Sequence, residues 1–265
     1  MTSRRGSLDT LIVHLRNRAG ALLPELAYSW HPLYCPVCRR GFSRMHPYIA
    51  SFRLRGEPVD HYTENALCPG CESKIRHRFV VQFLVHRTPL LRGNVRLLHF
   101  APEPQIAGFL ARLKMVEYTA CDTDTARYPG ALKVDLPEIP LPDASFDAII
   151  SIHVLEHIAE DARAIREMHR ILAPGGWAVV AIPVYGETTF EIPGLGEDER
   201  ERFYGVRSHQ RLNGLDFRAK LEKAGFAVAL HSFDTVPGNY LDRSVRSPHV
   251  ESDRYLFYCT KEAAR

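Results

Sequence analysis

At 265 residues, with 45% hydrophobic and 25% charged side chains and no low-complexity tract, the chain has the make-up of a folded protein, which excludes a fibre or a disordered tail. Its length suits one main domain and one small one, because domains usually run to about 100–200 residues. The net charge of +3 divides unevenly: residues 1–93 hold 14 Lys/Arg against 6 Asp/Glu, and the remainder holds 20 against 25. A basic first third either attracts phosphates, on RNA or on a small anion, or is simply a solvated surface.

Taken in chain order, Leu8 to Leu26 spaces its leucines as one helical face and predicts an amphipathic helix ending near Pro24. Arg16, Arg18 and Pro24 interrupt it, so it cannot supply the roughly 20 apolar residues a bilayer span needs. With no secretory signature at the N-terminus, the expectation is a cytoplasmic protein without membrane contact. Residues 31–73 are rich in Cys, Pro, Gly and His and lack a long periodic run, as expected of a module held by a metal rather than by its own core. Lys74 to Arg87 reads as a helix, and Thr88 to Asn94, with Pro89 and Gly93, as a boundary. The expected division is residues 1–93 as helix plus metal module, and 94–265 as the main domain.

From residue 94 onward strands alternate with helices, the pattern of a parallel sheet covered on both faces. Strands are expected at Val95 to Phe100, Val116 to Cys121, Leu132 to Asp135, Phe146 to Ile152, Trp177 to Pro183, Phe226 to Phe233 and Arg254 to Lys261. Helices are expected from Pro104 to Leu113, through Ile165, Met168 and Leu172 up to Ala173-Pro174-Gly175-Gly176, and from Gly214 to Ala224. No internal repeat is present.

Cys35-Pro-Val-Cys38 and Cys68-Pro-Gly-Cys71 are two Cys-x-x-Cys knuckles 29 residues apart. Four thiolates so spaced can close a tetrahedral zinc site, and with all four positions filled by sulfur the metal is expected to be structural. The gap is longer than in compact zinc ribbons, so the intervening residues must form a hairpin or loop of their own. Disulfides are disfavoured without export, and a redox role needs only one pair beside a helix. Cys121 and Cys259 fall within expected strands and read as core residues.

In an open α/β sheet, ligands bind beyond the carboxyl ends of the strands, where the strand order reverses. After the second strand comes Asp122, 19 residues beyond Glu103, where a carboxylate can accept both ribose hydroxyls of an adenosine. Asp135 follows the third strand, placed to accept from an adenine amino group. His153-Val-Leu-Glu-His157 follows the fourth and can line the pocket below.

As a set, Leu141-Pro-Asp-Ala-Ser-Phe-Asp147, Val154-Leu-Glu-His157 and Leu172-Ala-Pro-Gly-Gly176 resemble the class I S-adenosylmethionine-dependent methyltransferases in motif type, order and spacing. The similarity covers about residues 94–261. The two cysteine pairs, Arg76-His77-Arg78 and His99-Phe-Ala-Pro-Glu103 resemble a bacterial branch with an N-terminal four-cysteine zinc module. The resemblance implies a Rossmann-like, seven-stranded, mostly parallel sheet with helices on both faces. It also implies S-adenosylmethionine as cofactor, held among His99, Ala101, Pro102, Glu103, Asp122, Asp135, Leu136 and His153. One departure stands out: the family has an acidic residue and a glycine run after the first strand, where this chain has His99, Ala101, Pro102, Glu103 and Pro104. Pro104 suits the first turn of a helix, whose N-terminal dipole favours a carboxylate at Glu103. Glu103 is therefore expected to receive the cofactor's α-ammonium, with a cation, Arg76 or Arg78, meeting its carboxylate.

Methyl transfer from a sulfonium needs an in-line nucleophile, and much of its rate can come from positioning. Where a general base is required, His157, His209 and His153 are candidates, with Tyr185 just past the fifth strand. The long connection Val184 to Leu212 carries Tyr185, Glu191, Tyr204, Arg207, His209 and Arg211 and is where substrate choice is expected to reside. The leading expectation is an enzyme methylating oxygen or nitrogen of a small molecule, in specialised metabolism. RNA methylation, with Tyr34, Phe42, Tyr48 and Phe52 stacking bases, and a non-catalytic scaffold that keeps the fold are the alternatives.

Overall fold

The computed structural model describes residues 33–233 and 253–263; the helix expected at Leu8 to Leu26 lies outside them. Two short strands, β1 (Leu33–Cys35) and β2 (Arg40–Phe42), pair antiparallel around the first cysteine knuckle. A long hairpin of β3 (His46–Leu54) and β4 (Glu57–Leu67) then fills the interval between the knuckles. Its turn places Arg55 and Gly56 at φ of 55° and 90°, the left-handed pair that a tight two-residue turn between twisted strands requires. Helix α1 (Ile75–Arg87) follows the second knuckle directly.

The main sheet has seven strands in the order β10-β11-β9-β8-β5-β6-β7. They are β5 (Val95–Phe100), β6 (Val116–Asp122), β7 (Leu132–Lys133), β8 (Phe146–Ile152), β9 (Leu172–Ala181), β10 (Ala227–Ser232) and β11 (Tyr255–Thr260). All neighbouring pairs are parallel except those made by β11, which runs antiparallel to both β9 and β10. The helices between them are α2 (Pro104–Leu110), α3 (Asp161–Ile171), α4 (Glu197–Tyr204) and α5 (Phe217–Lys223).

Successive strand residues point to opposite faces, and the two apolar layers divide accordingly. Leu97, Ile150 and Val179 join Phe79, Phe83 and Leu84 of α1 and Ile106 and Phe109 of α2 on one side. Leu98, Ile149 and Val180 join Ile165 and Met168 of α3 and Phe217 and Leu221 of α5 on the other. Both faces being covered explains why the central strands read as continuous apolar runs. The first layer also contains Cys35, Val37, Met45 and Cys68, so the cysteine module packs into the same core as the sheet.

Several expected boundaries shift; the helix expected from Pro104 to Leu113 ends at Leu110, and the one expected from Gly214 begins at Phe217. The helix expected to run through Leu172 ends at Ile171, and Leu172 is already extended and paired with Phe146 at the start of β9. The pairing then slips before Ala148 meets Trp177, so the Pro-Gly-Gly run sits in a bulge within the strand rather than ahead of it. The third strand is cut to Leu132–Lys133, at the sheet edge with a single neighbour.

Candidate functional site

Strand order reverses between β5 and β8: the chain runs outward through β6 and β7 on one side and through β9 on the other. The crevice beyond their carboxyl ends is where such sheets bind ligands. Four segments meet there, following β5, β6, β8 and β9.

After β5 the backbone turns at Ala101, held at φ 45° while its N–H donates to Cys121 O at 2.9 Å. Pro102 is buried behind it, and Glu103 caps α2, with Pro104 as the first helical residue. Glu103 is grasped from α1: Arg76 Nη2 donates to its Oε1 at 2.7 Å and His77 Nε2 at 2.8 Å. The tautomer follows, because His77 Nδ1 accepts from Lys74 N–H, leaving Nε2 to carry the proton. Burial resists ionisation of Glu103, but the His77 hydrogen bond and the Arg76 charge outweigh it and hold the pKa down to about 2. Among the described residues its second oxygen, Oε2, is buried without a partner. Beneath this turn His99 is fully buried, with Nδ1 3.1 Å from Tyr118 Oη and no partner for Nε2 among the described residues. Burial lowers its pKa to about 4, so it stays neutral.

Asp122 ends β6, and its Oδ1 accepts from Asp124 N–H at 2.7 Å. Asp135 is exposed beyond β7, and Leu136 beside it is buried in the core. After β8, His153 adopts φ 53°, with Nδ1 3.5 Å from Glu156 Oε1 and Nε2 3.1 Å from Asp253 Oδ1. Asp253 in turn lies 3.5 Å from Arg76, so Glu103, Arg76, Asp253, His153 and Glu156 form a run of polar contacts along the rim. Asp253 carries no motif, and nothing in its local sequence signals this place. Of the two arginines expected to meet a cofactor carboxylate, Arg78 is corrected: it is buried under the knuckles, donating to Asn65, Ala66 and Ser73 carbonyls. Arg76 alone stands at the rim.

The short 3-10 turn Leu155–His157 puts Glu156 and His157 on the crevice floor. Glu156 is 1% exposed, and burial raises its pKa to about 7. His157 Nδ1 is 2.9 Å from Ser208 Oγ, and its ring meets that of His209 edge to face at 4.8 Å. His209 is also buried; burial and the neighbouring His157 lower its pKa to about 3. Tyr185 is half-buried past β9, and its backbone N–H donates to Asn213 O at 2.7 Å. His153, His157, His209 and Tyr185 thus share one edge of the molecule.

The connection from β9 to α5 lies across this rim and is pinned by Arg211. That buried guanidinium reaches Asp161 at 3.1 Å and Glu191 at 2.8 Å and donates to the Ile158 and Ala159 carbonyls. Above it the β3–β4 turn docks on the end of α4, where Arg55 and Gly56 N–H donate to Phe203 and Arg202 carbonyls. Arg55 also lies over the Phe190 ring at 5.2 Å. An open cleft of about 680 Å³ separates hairpin and α4, lined by Ser51, Phe52, Arg53, Asp198, Glu201, Arg202 and Gly205; none of the expected cofactor residues borders it.

The four cysteines form no disulfide and are mutually close, all sulfurs within 4.8 Å. Cys35 and Cys71 sulfurs are 3.7 Å apart and those of Cys38 and Cys68 3.6 Å. Tetrahedral bonds of about 2.3 Å to a central ion require sulfur–sulfur edges of roughly 3.8 Å, so the thiols fit such an ion and are too far apart for disulfides. Hydrogen bonding among the four sulfurs lowers the Cys68 and Cys71 thiols and raises those of Cys35 and Cys38. The close packing extends to Gly70, where an added Cβ would lie 3.3 Å from Cys38 Sγ.

Comparisons agree with this architecture. Residues 99–180 match the family described as a methyltransferase domain. A probable S-adenosylmethionine-dependent methyltransferase of Mycolicibacterium smegmatis is 37% identical over 108 residues, 39% of this chain and 38% of that protein. An uncharacterised 37.1 kDa protein encoded in a transposon of Streptomyces fradiae is 32% identical over 133 residues, 48% of this chain and 38% of the other. This chain therefore spans less than two fifths of the length of either relative. Among solved structures, a chain from the complex between the Haloferax volcanii Trm112 methyltransferase activator and a methyltransferase superposes at TM-score 0.50 with 17% identity, covering 71% of this chain and 91% of that one. Over residues 99–180 the chain is thus similar to methyltransferase domains, and its seven-stranded, mostly parallel sheet is Rossmann-like.

Proposed function

We propose that the protein transfers the methyl group of S-adenosylmethionine to an oxygen or nitrogen of a small-molecule acceptor, in specialised metabolism. The observation that carries this reading is the pairing of carboxylates at the switch point. Asp122 ends β6, and Glu103 after β5 is held ionised with one oxygen unpartnered among the described residues. In this reading Asp122 accepts the ribose hydroxyls, Asp135 the adenine amino group, and Oε2 of Glu103 the α-ammonium. Ala101, Pro102, His99, Leu136 and His153 shape the walls. Arg76, already shared between Glu103 and Asp253, swings to the cofactor carboxylate. His157, His209 and Tyr185 face the acceptor. The four cysteines hold a structural zinc ion, which keeps the hairpin over the rim.

Calorimetry of the full chain with S-adenosylmethionine tests the reading. Micromolar binding is expected, weakened at least tenfold in Asp122→Ala, since two charge-assisted hydrogen bonds are worth roughly 1.5–3 kcal/mol each. No heat for the unaltered protein would remove the enzymatic reading and favour a scaffold. Labelled methyl donor incubated with cell extract then separates small-molecule from RNA acceptors.

A further inference from the structure

We propose a second metal site, built by Glu156, His157 and His209, that binds a divalent cation and through it the acceptor's hydroxyl oxygen. Each of the three offers a ligand atom, and these atoms lie within 4.8 Å of one another. The cluster is separate from the cysteines and joins two segments about fifty residues apart, the turn after β8 and the rim connection. Three observations point to an ion rather than to ordinary packing.

First, both oxygens of Glu156 and Nδ1 of His209 are buried without a hydrogen-bond partner among the described residues, the His153 ring standing off Glu156 Oε1 at 3.5 Å. Buried polar atoms are nearly always paired, and a carboxylate and an imidazole left open toward each other lack a partner that a cation supplies. Second, His157 has Nδ1 engaged with Ser208 Oγ at 2.9 Å. That contact orients the ring and leaves Nε2 for the ion, the arrangement by which outer-shell partners fix ligating histidines. Third, the connection that delivers His209 is anchored to the turn that carries Glu156: Gln210 N–H donates to Glu156 O at 2.8 Å, and Arg211 donates to the Ile158 and Ala159 carbonyls. The three side chains are therefore held together by backbone, not by chance contact.

Two imidazoles and one carboxylate suit a first-row divalent ion, and three protein ligands leave positions open for substrate. Glu156 and His209 are nearly closed off from solvent, whereas His157 is only half-buried, so the cluster opens to solvent on the His157 side. Resting on methyl transfer as proposed above, the site narrows the acceptor to an alcohol or phenol. An ion there lowers the pKa of a coordinated hydroxyl. The hydroxyl gives its proton to water and its oxygen forms the new O–CH3 bond as the CH3–S bond breaks. The electron pair of that bond returns to sulfur, giving S-adenosylhomocysteine.

The test uses the full-length protein with its cysteine site left loaded and Mn2+ as probe, because a hard ion is poorly suited to four thiolates. Loss of the free Mn2+ signal in electron paramagnetic resonance is expected to show one ion bound per chain, and the bound ion to show nitrogen couplings from imidazole. Glu156→Gln and His209→Asn, checked for folding by circular dichroism, are each expected to weaken binding at least tenfold. Absence of Mn2+ binding, and of Co2+ binding beyond the cysteine site, at millimolar metal would overturn the proposal. So would binding that neither substitution alters. Calorimetry with S-adenosylmethionine on the same samples separates this from the parent reading: Mn2+ bound but no cofactor heat overturns the hydroxyl assignment while leaving the site standing.

Discussion

Glu103 concentrates the electrostatics of the rim in one side chain. Arg76 and His77 donate to it, Asp253 lies on the far side of Arg76, and Lys74 is the further cation in the group. Its pKa, about 2 in the folded chain, lies below the ordinary glutamate value, so its ionised form favours folding. The sign follows from linkage: the stabilisation is complete above the unfolded value of about 4.3 and disappears as pH falls through about 2. Glu103→Gln is accordingly expected to lose roughly 2–3 kcal/mol at pH 7, with the deficit closing below about pH 4. Urea unfolding of both proteins across that range checks it; a deficit that does not change with pH would show that the carboxylate charge is not what stabilises. The same variant should bind S-adenosylmethionine more weakly if Oε2 takes the α-ammonium.

Arg76 and Arg78 show how much of such a site can be read from sequence. The run Arg76-His77-Arg78 offers two arginines as partners for a cofactor carboxylate. Residues two apart on a helix do not share a face, so only one could reach the rim while the other turned to the cysteines. That division is visible once α1 is known to be a helix. Asp253 is different, because 150 residues separate it from Glu103 and only the antiparallel entry into β11 brings it there.

At the scale of elements, β5 and β8 begin and end where their apolar runs do, because they are buried on both faces and flanked by turn residues. β9 was less legible: its pairing starts at Leu172 through a bulge, a property of the partner strand that no local pattern encodes. The sequence marks the β3–β4 hairpin only as a hairpin or loop, since exposed residues occur along the length of both strands and no continuous apolar run marks them. The rim connection reads as a long loop, yet it is rigidly placed by Arg211. Removing one partner of a buried ion pair typically costs about 3–5 kcal/mol, because the remaining groups stay buried. Here Lys220 still reaches Asp161 at 2.6 Å, so Arg211→Met is expected at the lower end, near 3 kcal/mol. Limited proteolysis should then cut first within residues 184–213, and acceptor KM should rise more than cofactor affinity falls. Cleavage elsewhere first would mean the arginine does not hold this segment.

For the molecule as a whole, the decisive relation is between the cysteine module and the sheet. Cys35, Val37, Met45 and Cys68 lie in one apolar layer with α1, α2 and strands β5, β8 and β9. Polar contacts reinforce it: Gln105 of α2 donates to Cys71 O at 3.5 Å, and Arg112, just past the end of that helix, donates to Val37 O at 2.6 Å. Among the described residues no helix is long and apolar enough to cross a membrane. If zinc holds the four thiols, its loss leaves thiols packed against that layer, and the damage travels into the sheet. Chelation, or Cys38→Ser with Cys71→Ser, is therefore expected to lower the melting temperature of a single calorimetric transition by ten degrees or more, since about 1 kcal/mol shifts a domain of this size by roughly 2–4 °C. The hairpin over the rim should loosen with it, so acceptor turnover should fall before cofactor binding does. Two separate transitions, with the upper one unmoved by chelation, would instead show that the module and the sheet fold independently.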